Sequence, residues 1–260
     1  MAKDSGGEQG GPSTADTGTT EGEDVVAAQL SSFARDLEQE DDPDALLAEV
    51  VAAAVQLIPG TDEGSISMVT DRRHVSSRAP SSDLARDVDA LQEETGEGPC
   101  LDAVYEQQTV RVPDMATEDR WPHFARRASE AGAASMLAFQ LFVEGDNLGA
   151  LNLYSHVPGA FDDESEHVGL LFASHAAVAF SGARKQRTLT QALDTRDVIG
   201  MAKGILMQRY TLTPDRAFRV LVRGSQQTQR KLRDVAEELV HRGTLDGQLI
   251  TRPAAVDEAS

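Results

Sequence analysis

From Phe161 to Tyr210 the chain runs through FDDESEHVGLLFASHAAVAFSGARKQRTLTQALDTRDVIGMAKGILMQRY without a single proline. Only scattered glycines interrupt a helical reading. The stretch opens with Asp162, Asp163 and Glu164, the charge that a helix N-terminus favours. A helix of this length outruns what one globular core uses. It predicts a signalling helix that leaves one domain and enters the next.

The segments before it change period twice. Residues 1–24, MAKDSGGEQGGPSTADTGTTEGED, are Gly, Ser, Thr and acid, and cannot bury enough surface to offset their ordering entropy. A disordered acidic tail is expected there. Val25, Val26, Leu30, Phe33 and Leu37 then recur at helical spacing, and DDPDALLAEVVAAAVQLI starts a second helix with Asp42 as N-cap and Pro43 at its first position. Pro59-Gly60 stops it. GSISMVT alternates, and HVSSRA follows the turn Asp71-Arg72-Arg73, which predicts a hairpin. A helix begun by Ser81 or Ser82, a short helix in GEGPCLDAVYEQQ, the strand Thr109 to Val112 and a helix closed by Gly132 come next. The clearest strand signal is SMLAFQLFV and LGALNLYS, joined by Glu144-Gly145-Asp146-Asn147 and expected to pair antiparallel. This part reads as an antiparallel sheet flanked by helices, class α+β.

Charge divides at the same place. The whole chain carries a formal −19 and a pI near 4.6, a balance that argues against nucleic-acid binding when taken as a sum. Between Arg184 and Arg242, however, thirteen bases face six acids, a net of +7 that leaves −26 on the remainder. A basic module on an acidic body can bind a polyanion while the body repels it. A basic solvated face would show the same count.

Other classes are excluded more simply. One cysteine, Cys100, permits no intrachain disulfide and fits a reducing cytoplasm. It is followed by Leu101 and not by histidine, so it lacks a cofactor-anchoring pair. A buried thiol is expected, not a redox sensor. No apolar run is long enough to span a bilayer, and the first residues lack a secretory core. The six histidines show no metal-ligand spacing. There is no Gly-rich phosphate loop, kinase signature, zinc cluster or phospho-acceptor pocket. The chain is expected to be cytoplasmic, non-enzymatic and free of cofactors.

The last third is a predicted bundle of three short helices. Val198, Ile199, Ala202, Ile205 and Leu206 form an apolar stripe, with Arg196, Gly200, Lys203, Met207 and Tyr210 on a different face. Thr213 and Pro214 open a second helix with Ala217, Phe218, Leu221, Val222 and Ser225 inward. Thr228 is expected to begin a third, with Leu232, Val235, Ala236, Leu239 and Val240 inward and Gly243 at its end. Its first turn would then concentrate Gln229-Arg230-Lys231 and Arg233, where an arriving phosphate would relieve their conflict with the helix dipole. Gly200 and Gly204 serve either close helix packing, the expectation, or a smooth patch open to phosphate and base.

Two resemblances follow. Residues 25–183 resemble a GAF domain, a bacterial small-molecule sensing module, through GEGPCLDAVYEQQTVRVPDM and LGALNLYS followed by FDDESEHVGLLFASHAAVAF. That resemblance implies a pocket between sheet and helices for an unidentified small-molecule ligand. LTQALDTRDVIGMAKGILMQRY with LTPDRAFRVLVRGSQQTQRKLRDVAEELV resembles an ANTAR domain, an RNA-binding module of transcription antitermination. Its expected extent is 184–247, followed by a flexible tail at 248–260. Thr211 stands where many members have glycine, and Gln229 where asparagine is common.

The second resemblance implies a signal-responsive antitermination regulator that binds paired stem-loops in nascent mRNA as a homodimer. It implies RNA contact by Lys231 and Arg233, with Arg196, Lys203, Arg209 and Arg230 as further RNA-binding candidates. The alternative is a ligand-responsive DNA-binding transcription factor, since three-helix bundles also present recognition helices to the major groove.

Overall fold

The computed structural model describes residues 32–35, 37, 40, 42–70, 74–105, 108–143 and 146–243. The acidic tail at 1–24, the turn 71–73 and the tail at 248–260 lie outside the described residues. The chain divides into two compact units, 1–184 and 185–260.

The first unit is a five-stranded antiparallel sheet with helices on both faces. Its strands are β1 (Glu63–Thr70), β2 (His74–Arg78), β3 (Thr109–Val112), β4 (Ser135–Val143) and β5 (Asp146–Ser155), in the order β2-β1-β5-β4-β3. The helices are α1 (Pro43–Leu57), α2 (Asp83–Thr95), α3 (Pro99–Tyr105), α4 (Pro122–Ala131) and the start of α5 (Asp163–Tyr210). Alternation along β4 serves both faces. Leu137, Phe139 and Leu141 point to α1 and α5, whereas Met136 and Ala138 join Val88 of α2 and Phe124 of α4. The expected α+β sheet with flanking helices is thus what forms. The β4–β5 connection is shorter than expected, because Asp146 and Asn147 already pair with Val143 and Phe142.

The caps explain where these helices start. Asp42 Oδ1 accepts the Asp44 N–H at 3.1 Å, and Ser82 Oγ accepts the Ala85 N–H at 3.1 Å. Helix α4 has no cap of its own. Instead Glu97 Oε1, from the loop after α2, accepts the His123 and Phe124 N–H groups at 2.7 and 3.0 Å. Position 97 lies far from α4 in sequence, so spacing could not announce it.

Helix α5 is continuous over 48 residues, as its lack of proline predicts. Its first turns bury Val168, Phe172, Ala173, Ala176, Ala177 and Phe180. Leu171, between them, is exposed. The phase is set by two contacts. The Phe33 ring stacks on Phe172 with centroids 4.3 Å apart. Gly169 sits so close to the Phe139 ring that an added Cβ would stand 2.2 Å from its Cζ.

Candidate nucleic-acid interface and sensor core

The second unit is built from the end of α5 with α6 (Pro214–Thr228) and α7 (Leu232–Arg242). Ala202, Leu206, Ala217, Leu221, Val235, Ala236 and Leu239 form its core. Thr213 Oγ1 accepts the Arg216 N–H at 3.4 Å at the head of α6, and Gly243 closes α7 in the left-handed region. Thr211 and Gln229 end their helices with φ of 52° and 54°. These are the two positions where glycine and asparagine were expected from the resemblance, and the reason is conformational. Both must be left-handed.

Three expectations are corrected here. Thr228 ends α6 instead of beginning α7. Its hydroxyl donates back to the Gly224 carbonyl at 2.7 Å, a bond that keeps it inside the preceding turn. Gln229, Arg230 and Lys231 therefore lie in the connection, fixed by the Arg230 N–H on the Ser225 carbonyl (3.2 Å) and by Ser225 Oγ donating to the Arg230 carbonyl (2.6 Å). The basic first turn expected for α7 contains Leu232, Arg233 and Asp234 instead. Phe218 is not buried but 40% exposed; Ala217, Leu221 and the small Gly224 face inward, with Val220 packed beside them.

The six basic candidates fall into distinct settings. Arg233 Nε bonds Glu237 at 2.8 Å, and Arg230 pairs with Glu238, which also takes Arg242 at 2.8 Å. The Arg230 hydrogen bond holds the Glu238 carboxyl below its ordinary range. Arg209 donates to the Gly243 carbonyl. Among the described residues Arg196 and Lys231 have no carboxylate partner.

Lys203 Nζ lies 6.0 Å from the centre of the Phe218 ring. Between Arg196 and Lys203 opens a groove of about 850 Å³, lined also by Asp197, Gly200, Met201 and Phe218. A Cβ placed on Gly200 or Gly204 would meet nothing within 4 Å. Within this unit, then, neither glycine serves close packing. Tyr210, on the face away from the apolar stripe, is 39% exposed.

In the first unit a polar cluster lies buried between the sheet and α2. Asp89 accepts from Ser77 Oγ (2.5 Å), Tyr154 OH (2.7 Å) and Asn152 Nδ2 (2.9 Å). Asn152 Nδ2 also donates to Ser67 Oγ at 2.9 Å. Burial raises the Asp89 carboxyl above its ordinary range, against the pull of these donors. Cys100 is fully buried nearby, its N–H on Gln92 Oε1 at 2.8 Å. Burial and the Asp89 charge push its thiol up to about 12. The expected buried thiol is what the structure contains. The sequence signal for the polar cluster is that Ala85, Val88, Asp89 and Gln92 share one helical face and so place two polar residues on an apolar stripe.

Family models match in two places: the GAF domain over residues 40–181 and the ANTAR domain over residues 187–240. No curated protein matches the chain. Among solved structures, the GAF domain of a phosphoenolpyruvate-protein phosphotransferase from Coxiella burnetii aligns with a TM-score of 0.51 and 18% identity. That alignment covers 63% of this chain and 96% of that one. A free methionine-R-sulfoxide reductase from Neisseria meningitidis, in complex with its substrate, gives 0.48 and 19% over 62% and 92%. Among the described residues no helix is long and apolar enough to cross a membrane.

Proposed function

This chain belongs to the GAF domain family and carries an ANTAR domain behind its GAF domain, and from that premise we propose that it is a transcription antitermination regulator binding paired stem-loops in nascent mRNA. The two domains are regulatory, not catalytic, and together make a signal-sensing, RNA-binding regulator. The finer reading rests on one observation: the ANTAR match falls on a bundle whose surface holds the basic part of an otherwise acidic chain. Arg196, Lys203, Arg209, Arg230, Lys231 and Arg233 supply the phosphate contacts, which position the RNA without reading its sequence.

Two stem-loops call for two modules, so the acting species is a homodimer. Exposed Leu171, Val178, Leu189 and Leu193 offer α5 as its seam. The GAF domain takes a small molecule as signal, and the protein works in the cytoplasm.

Gel shifts at one stated salt concentration compare a two-stem-loop RNA with duplex DNA of equal length. Preference for the RNA is the expected result; preference for the duplex would overturn the reading in favour of a DNA-binding factor. Sedimentation at micromolar protein should show a dimer. A monomer with and without RNA removes the paired-site mechanism.

A further inference from the structure

The groove beside Phe218 has a character that phosphate contacts alone do not explain. A phenylalanine with two-fifths of its surface in water stands at the wall of a concavity of about 850 Å³, inside the range of about 300–1,000 Å³ usual for ligand sites. Arg196, Gly200 and Lys203 follow one face of α5, so the two cations stand about 10 Å apart along the axis with a side-chain-free position between them. Asp197 lines the same groove. What fits is a flat, uncharged, polarisable body flanked by two anions. A nucleotide lifted from a stack has that form, and single-stranded loops present such bases to aromatic side chains.

Resting on the proposal that the bundle binds RNA, the geometry points to a base-binding subsite. One unstacked loop base lies against the Phe218 ring over Gly200, and the phosphates on either side are held by Arg196 and Lys203. Lys203 Nζ already stands over that ring, 6.0 Å from its centre, so the cation, the aromatic side chain and the open backbone are assembled before RNA arrives.

The probe is a pool of RNA hairpins with randomised loops, selected by the full chain, and the tightest hairpin is then made with each loop base in turn replaced by an abasic site. Stacking on an aromatic residue corresponds to roughly five- to hundredfold in affinity. At one loop position the abasic RNA should therefore bind at least about fivefold more weakly. Phe218→Leu should lose the same factor on intact RNA and lose nothing more on the abasic one. Phe218→Tyr, which keeps the ring, should bind as the parent does.

The slope of log affinity against log salt separates the roles. It should hold in Phe218→Leu and flatten by about 0.7 in each of Arg196→Ala and Lys203→Ala. Independent, additive losses from Phe218→Leu and the abasic site would overturn the subsite. So would unchanged RNA affinity together with weakened self-association, which would make Phe218 part of an interface between copies. Failure of the parent protein to enrich any hairpin overturns the RNA-binding reading itself, a result that does not resemble either of those.

Discussion

Single positions carry opposite signs in the two units although they share one helix. At Gly169 an added methyl meets the Phe139 ring, so Gly169→Ala should lose about 1–3 kcal/mol in urea unfolding despite alanine's better helix propensity. At Gly204 the same change meets open space and should gain up to about 1 kcal/mol. A gain at Gly169 would mean that the ring does not fix the helix phase. Asp89 gives a pH signature. Its folded carboxyl titrates above the 3.8 of the unfolded chain, so the folded state binds the extra proton between the two values. Stability from this group is then largest in acid and falls as pH rises from about 3.8 through the raised folded value. Asp89→Asn cannot titrate. The parent's advantage over it, measured by chemical unfolding, should be greatest near pH 4 and smaller at pH 8; a difference that grows with pH would contradict the raised value. Cys100, protonated at neutral pH, lacks the thiolate that reacts.

The helices show which signals survive translation into structure. Asp42-Pro43 and Thr213-Pro214 were legible because a short acceptor followed by proline suits one geometry, the first helical turn. Thr228 is ambiguous in sequence because threonine serves two ends: its hydroxyl caps the turn ahead or bonds back to the turn behind, and sequence does not say which. Phe218 is ambiguous for a related reason. A stripe of 217, 218, 221, 222 and 225 and a stripe of 217, 220, 221 and 224 both have helical period, and the structure turns the second inward, with Gly224 buried on it. The sheet order was beyond reach, since β1 pairs with β5 across most of the first unit. The left-handed residue after α5 carries a testable cost. Thr211 is β-branched at φ 52°, a conformation that costs about 1–2 kcal/mol, part of which glycine returns through its freer unfolded chain. Thr211→Gly should raise stability by about 0.5–1 kcal/mol and leave far-ultraviolet dichroism unchanged; destabilisation would show that the threonine makes a compensating contact.

At the scale of the molecule, one unbroken helix is the covalent route from sensor to RNA-binding unit, and any coupling between their ligands is reciprocal. Whatever factor a bound signal applies to RNA affinity, RNA must apply to affinity for the signal. Because side chains advance about 100° per residue, an insertion near Lys185 tests whether phase carries the message. Two added residues should abolish the response of RNA affinity to signal, and seven, nearly two turns, should largely restore it. Equal responses in both would show that the connection acts as a tether. The carboxylates around the basic surface have a consequence of their own. Glu237 and Glu238 already neutralise Arg233 and Arg230, so the ions that RNA must displace there are part of the polypeptide. They cannot diffuse away, and their concentration does not change when salt is added to the buffer. Of the six candidate cations, only Arg196, Lys203, Arg209 and Lys231 shed mobile counterions. The salt dependence of binding should therefore follow about four charges, a slope near −2.8, and not the slope near −4 that six would give. A tethered counterion stays in place at any salt concentration, and it yields only to a phosphate placed well enough to replace it.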